Sequence, residues 1–407
     1  MRSRKTIPDP GTTLVRRRPS LDFSLTGLVY CSMMLFMGLA AMNSQANLLF
    51  GVFGLMIGIL LVSGVISRFV LRGLEVNRAL PEHGVVGQTL TTTYEFVNRK
   101  RFWPSLSVTI AELDGAEAFI KQPHGYLLHA APKMTARVPV EIIPKRRGLH
   151  RLDRHQISTS FPFGFIKRAL ERRREDRLLI FPALAGVDPR LLSMMQSAES
   201  SGPMMRPRRG GVDEFYGLKE FRHGENPRYI YWKRSARTGT LVAKEMTHVS
   251  PPRLMLLVDS YLENHSNREE CRAVEKCIAM AASLASHALE QNLPVGLLVW
   301  SGDWVAIPPN RGKRQRLDIL TALARAPHNN QRTTRQLIDA AHEFQESGTT
   351  FVLFSPRDIQ LGLGDSARGG MMVLSPANMM TERWFRFDKK IDFAHCGPME
   401  LKVEDRG

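Results

Sequence analysis

Two charge-free apolar runs near the start of the chain constrain its fold more than any other feature. Ser24–Met42 reads SLTGLVYCSMMLFMGLAAM and Leu48–Ser67 reads LLFGVFGLMIGILLVSGVIS. Each approaches the ~20 residues that cross a hydrocarbon core of about 30 Å. Only Asn43-Ser44-Gln45-Ala46-Asn47, polar and uncharged, lies between them. So short a linker forces an antiparallel hairpin, assigned to residues 24–67. Arg2, Arg4, Lys5, Arg16, Arg17 and Arg18 precede the first run, Arg68, Arg72 and Arg78 follow the second, and the linker has no Lys or Arg. The positive-inside rule then places both termini, with the basic segment 1–23 and the soluble remainder, in the cytoplasm. Two readings compete. A cleaved signal peptide is disfavoured by the long basic region and the second full span that follows at once. The other is a pair of buried core helices. Gly51, Gly54 and Gly58 include a small-xxx-small spacing, which either permits close helix approach or is ordinary membrane-helix glycine.

The 407 residues allow two or three domains, and the 43% hydrophobic and 23% charged residues are an ordinary globular mixture. A net charge of +17 favours polyanionic partners, with lipid headgroups the simplest sink beside a membrane hairpin. The four cysteines, Cys31, Cys271, Cys277 and Cys396, have no CxxC spacing. They fit reduced thiols better than a zinc site or a disulfide framework.

Residues 74–182 read as a β-rich, sandwich-like domain. Gln88–Val97, Leu106–Ile110, Ala136–Ile143 and Gln156–Ser160 are strand-like, and turn signals such as Asp114-Gly115 and Phe161–Gly164 separate them. The mixed run Glu171–Asp176 reads as a solvated face. Residues 183–211, polar and then rich in Arg, Pro and Gly, read as a mobile linker. Within 212–407, strand and helix alternate from about residue 253. Leu254–Val258, Pro294–Trp300, Thr349–Phe354 and Gly370–Leu374 are apolar strand candidates. A helix opening at Ser266, whose spacing to Glu269 suits a capping box, runs to about Gln291; Lys313–Arg325 and Thr334–Phe344 are amphipathic. Cys271 and Cys277 fall on the first of these helices as packing residues. The alternation predicts an α/β domain with a parallel sheet covered by helices on both faces.

The most informative stretch is Glu214–Glu245, EFYGLKEFRHGENPRYIYWKRSARTGTLVAKE. Phe221, Arg222, Gly224, Glu225, Arg228, Ile230, Trp232, Lys233, Ser235, Ala236, Arg237, Gly239 and Leu241 stand in the order and spacing of a known signature. The chain thereby resembles the domain of unknown function 58 family, and the hairpin, the β-rich segment and the Phe161–Gly164 turn agree with it. Glu225 stands where the family has Asp, which puts any tight role for that carboxylate in doubt. The resemblance implies a C-terminal von Willebrand factor A-like domain, a doubly wound parallel sheet. It also implies a place in the bacterial inner membrane and association with MoxR-type AAA+ ATPases and, in many members, with transglutaminase-like membrane proteins.

Von Willebrand A domains often hold Mg²⁺ through Asp-x-Ser-x-Ser. Here the run is Asp259-Ser260-Tyr261-Leu262-Glu263, so Asp259 stands alone as a degenerate site and is expected to cap the following loop or helix. No nucleophile elbow, HExxH or phosphate-binding glycine loop is present, so neither an enzyme nor a cofactor is expected. The Arg/Lys/aromatic cluster has three readings. In the first, Arg222, Arg228 and Arg237 pair with Glu220, Glu225 and Glu245 while Trp232 packs beneath them. In the second, the cluster is a partner-docking surface. In the third it binds single-stranded nucleic acid, the weakest of the three because no nucleic-acid motif accompanies it. The expected function is a non-enzymatic membrane adaptor for a MoxR-type ATPase; the alternative is a basic protein binding nucleic acid or anionic lipid.

Overall fold

The apolar runs form two helices, α1 (Leu25–Ser44) and α2 (Asn47–Leu71). A computed structural model describes residues 20–44, 46–114, 118–120, 123–201, 209–222, 226–247, 253–263, 267–329, 331–344, 349–359, 371–395 and 397–398. The most apolar windows of α1 and α2 have mean hydropathy 1.8 and 2.6, yet only 11% and 6% of them is buried. Core helices bury such surface and this pair does not bury it within the chain, so the pair is compatible with membrane anchoring. Gly51, Gly54 and Gly58 face open space, whereas Gly38 meets the ring of Phe53. Close approach within the hairpin therefore falls at Gly38 and not at the small-residue spacing.

Lys100 holds the end of α2 to the chain that follows it. Its Nζ donates to the carbonyls of Phe69 (3.0 Å), Val70 (2.8 Å) and Pro104 (3.2 Å) and to Ser105 Oγ (2.8 Å). The last carbonyls of a helix have no partner within it, and here an ammonium supplies one. Lys100→Met keeps the stem and removes the donors. It is expected to cost about 2–3 kcal/mol, read as a lower denaturant midpoint of the detergent-solubilised chain.

Two sheets accompany the hairpin, and one of them includes a strand that precedes it. The larger runs β1 (Ser20–Phe23), β9 (Ile166–Phe181), β8 (Gly148–Thr159), β5 (Ser105–Glu112) and β6 (His124–Ala130), with β3 (His83–Val85) also on β9. The smaller is β2 (Leu74–Ala79), β4 (Leu90–Asn98) and β7 (Thr135–Ile142). All pairings are antiparallel except β3 with β9. The charged run Glu171–Asp176, read as a solvated face, lies inside the 16-residue strand β9. One of its members reaches the core. Arg78, with a fully buried side chain, makes a two-pronged pair with Glu112 (2.8 Å each) and reaches Asp176 (2.8 Å). Tyr94 of the smaller sheet donates its hydroxyl to the same Glu112 (2.8 Å), and burial raises its pKa.

Burial holds His155 and His150 neutral, with pKa values pulled down to about 3 and about 4. Both lie below the unfolded value of about 6.5, so the unfolded chain binds protons first as the pH falls. Stability is complete above pH ~6.5 and declines between there and pH ~4, by about 2 kcal/mol or more for each group. Thermal unfolding followed from pH 7.5 to 4.5 checks this.

The described residues form two compact units, one up to Phe181 together with Pro398 and the other from Pro182 to Gly397. In the second, residues 189–201 are not a linker but a helix, α3 (Pro189–Ser201), which buries Leu191, Leu192 and Met195. Its N-terminus is set by Pro189 behind Asp188, whose Oδ1 accepts the Arg190 amide (2.9 Å). β10 (Gly186–Val187) pairs with β18 (Phe385–Arg386), which follows α8 (Met379–Trp384).

A five-stranded sheet forms the centre of this unit, in the order β15 (Trp304–Asn310), β14 (Val295–Trp300), β13 (Arg253–Val258), β16 (Thr349–Phe354), β17 (Met371–Leu374). β14, β13, β16 and β17 are parallel, as expected. β15 is an antiparallel edge, so the sheet is mixed; its Pro308 and Pro309 suit an edge strand, where no ladder donor is needed. α5 (Arg268–Glu290), α6 (Lys313–Arg325) and α7 (Thr334–Ala341) accompany it. α7 lays Leu337 and Ala341 on the face made by Met255, Leu257, Leu298 and Leu353. α5 is capped by Asn267, which accepts the Glu269 amide, whereas Ser266, the expected start, lies outside the described residues; a capping box is formed by Thr333 and Gln336 on α7. Cys277 is fully buried on α5 and Cys271 partly so; Cys396 lies outside the described residues.

Candidate functional site

The signature segment folds as a small module. β11 (Arg209–Glu220) and β12 (Val242–Thr247) pair antiparallel and enclose a 3-10 turn, Pro227–Tyr229, and the short helix α4 (Trp232–Thr238). Asn226 caps the turn by accepting the Arg228 amide (3.1 Å). Ile230 and Ala243 bridge the turn to β12, and both are buried. Ser235 is the keystone: its Oγ donates to Tyr231 O (3.1 Å) and accepts the Val242 amide (2.9 Å), joining α4 to β12. α4 then ends at Gly239, whose φ of 73° is the left-handed conformation that glycine adopts without strain. Ser235→Ala leaves the part-buried Val242 amide without its acceptor and is expected to lower stability by about 1 kcal/mol. A chemical denaturation midpoint reads this directly.

Ser235 is the one inward-facing member of α4. Trp232 is 65% exposed, and Lys233, Arg234 and Arg237 are exposed with it. Trp232 therefore does not pack beneath the arginines. Arg222, Arg228 and Glu220 are exposed too, and no ion pair joins Arg222, Arg228 or Arg237 to a carboxylate among the described residues. Gly224, Glu225 and the Glu245 side chain lie outside the described residues. Lys244 Nζ stands over the Tyr231 ring, 5.3 Å from its centroid. The module thus presents an indole among guanidinium and ammonium groups held in water, an arrangement suited to an acidic, apolar-centred partner surface.

Asp259 directly follows β13 and is buried. Its Oδ1 accepts the Tyr261 amide (3.0 Å), the expected loop cap. Its Oδ2 accepts the hydroxyls of Thr334 (2.6 Å) and Ser355 (3.3 Å), which sequence reasoning missed. Burial lifts the Asp259 carboxyl above the ordinary carboxylate range in spite of these donors. The Mg²⁺ that a von Willebrand A-like fold implies does not fit here. Among the described residues Asp259 is the sole carboxylate in the cluster, and it already accepts three hydrogen bonds. The two positions that would carry serines hold Tyr261 and Glu263, both engaged by Arg357: its guanidinium lies 5.8 Å from the Tyr261 ring centroid and 2.9 Å from Glu263 Oε1. Divalent magnesium needs a near-octahedral shell of hard oxygens. Among the described residues no cluster of three His, Cys, Asp or Glu is placed to hold a metal.

Residues 217–357 match the family described as "Protein of unknown function DUF58". No curated protein matches the chain. The matched stretch takes in the Trp232 module from Gly217 onward and the Asp259 cluster, and over it the chain is similar to that family.

Proposed function

We propose that this chain is a non-enzymatic, membrane-anchored adaptor that engages a MoxR-type AAA+ ATPase and assists assembly or remodelling of a membrane or envelope complex. One observation carries the reading: Trp232 is 65% exposed on a helix whose inward contact is made by Ser235 instead. A solvent-facing tryptophan among arginines is costly to leave bare and is the residue class that dominates hot spots. α1 and α2 anchor the chain in the bacterial inner membrane, with both termini and the soluble domains cytoplasmic, as the flanking arginines favour. On this reading the central sheet is a doubly wound, von Willebrand factor A-like domain and the two antiparallel sheets a sandwich. A transglutaminase-like membrane protein is a second partner of the same assembly. The self-satisfied Asp259 cluster and the absence of a recognisable nucleophile motif support a binding role.

The net charge of +17 supports the alternative, a nucleic-acid- or anionic-lipid-binding protein. Co-purification of the solubilised full chain with the ATPase, in ATP and in ADP, separates the two. A complex in either nucleotide supports the adaptor; none in both, with retention of single-stranded DNA or RNA at low salt, supports the alternative.

A further inference from the structure

The β-rich unit reaches into the hairpin through one turn. Ser24 donates its hydroxyl to Gly164 O, and Phe165 O accepts the Ser24 amide (3.1 Å). A Cβ at Gly27 would stand 2.1 Å from that same Phe165 carbonyl, so only glycine admits the turn's backbone. Phe165 stacks on Tyr30 at 4.1 Å, and a Cβ at Gly64 would stand 3.7 Å from Ile166 Cδ1. Gly64 and Tyr30 lie inside the charge-free runs that end at Ser67 and begin at Ser24. At about 1.5 Å per residue, these contacts sit roughly 5–9 Å inside the apolar ends. Beside them Phe163 is 50% exposed. A second loop flanks the other helix: Trp103 stacks on Phe69 of α2 at 6.0 Å and is 56% exposed, and Phe102 is 75% exposed under the guanidinium of Arg101. Met134, whose carbonyl accepts the Asn98 amide (3.0 Å), adds a fourth exposed apolar side chain.

Basic residues stand just beyond the apolar ends. Arg68 and Arg72 are exposed, Arg168 is half-buried, and none has a carboxylate partner among the described residues. Arg168 holds its proton less firmly than an ordinary arginine, through burial and then through the nearby Arg68. Arg68 stands one helical turn beyond Gly64 on α2, and Arg168 two residues beyond Ile166 on the same face of β9, so the Gly64–Ile166 approach brings both guanidiniums to one side. Two such groups call for a shared anion. At this depth beside a spanning helix the available anion is a lipid phosphate.

We propose that the β-rich unit is itself seated in one leaflet: Phe163, Phe102 and Trp103 enter the acyl-chain boundary, and Arg68 with Arg168 clamps the phosphate of an anionic phospholipid. This rests on the reading of α1 and α2 as membrane-spanning. It assigns the Phe161–Ile166 turn the role of a wedge between helix and lipid.

The test places the photocrosslinking residue p-benzoylphenylalanine at one site at a time in the full chain, in nanodiscs of mixed anionic and zwitterionic phospholipid. The sites are Phe36, Phe163, Phe102 and Arg177. Phe36 is 67% exposed on α1, and Arg177 lies about 35 Å along β9 from Ile166 at roughly 3.3 Å per residue. Lipid adducts at 36, 163 and 102 and none at 177 are expected. An adduct at 36 alone leaves the hairpin spanning and overturns the proposal. No adduct at 36 overturns the spanning reading and the proposal with it. The adducts at 163 should also be enriched in anionic lipid, by about fivefold for each guanidinium. Arg68→Gln/Arg168→Gln should return them to the bulk ratio; enrichment unchanged in that variant overturns the clamp.

Discussion

Glu112→Ala unfolds the β-rich unit under conditions where the wild-type chain is folded. Arg78 is buried with its charge, and Glu112 meets it with both oxygens. Removing that carboxylate leaves the guanidinium with Asp176, whose side chain is 20% exposed, as its remaining ionic partner. It also takes away the acceptor of the Tyr94 hydroxyl. Breaking one side of a buried pair costs about 3–5 kcal/mol. A domain is typically stable by only about 5–15 kcal/mol, so this is a large share. Replacing both members, Arg78→Met with Glu112→Leu, leaves no bare charge and should cost less than the single change. Thermal unfolding in detergent checks both variants. A Glu112→Ala chain with wild-type stability would mean that the cluster is not the electrostatic centre of these sheets.

Trp232→Ala should act in the opposite way. The side chain is 65% exposed and stands on a helix held by Ser235, so folding should be unaffected. Substitution of an exposed residue away from buried networks shifts stability by about 0.5 kcal/mol or less. Truncating an aromatic hot spot costs about 2–4 kcal/mol of binding, roughly a thirtyfold to thousandfold loss of affinity. Titration of the ATPase against the solubilised chain measures this. Loss of stability together with binding would return Trp232 to a structural role.

The hairpin was legible because length without charge has few folded interpretations, and the apolar parallel strands because β13, β14 and β16 are unbroken apolar runs. β9 was not legible. Its outward positions are Arg and Glu, so the run looks like a solvated face until Arg78, 98 residues from Asp176 in sequence, is brought against it. α3 was lost because its apolar residues are confined to its first turns, although Asp188-Pro189 announced its start. β15 was hidden by two prolines that only an edge strand tolerates. The partners of Asp259 come from 75 and 96 residues downstream, a distance no local spacing reveals. The signature marked the Trp232 module as a unit, but a helix of seven residues is too short for an apolar stripe to tell which side faces inward.

The most direct test of the adaptor reading is a crosslinking pulldown from native membranes, comparing wild type with Arg228→Glu/Trp232→Ala by mass spectrometry. Circular dichroism would verify that the variant is folded. A MoxR-type ATPase recovered with wild type and absent with the folded variant is the expected result. Recovery of the ATPase in equal amount from both, or of lipid or nucleic acid alone from wild type, would contradict it.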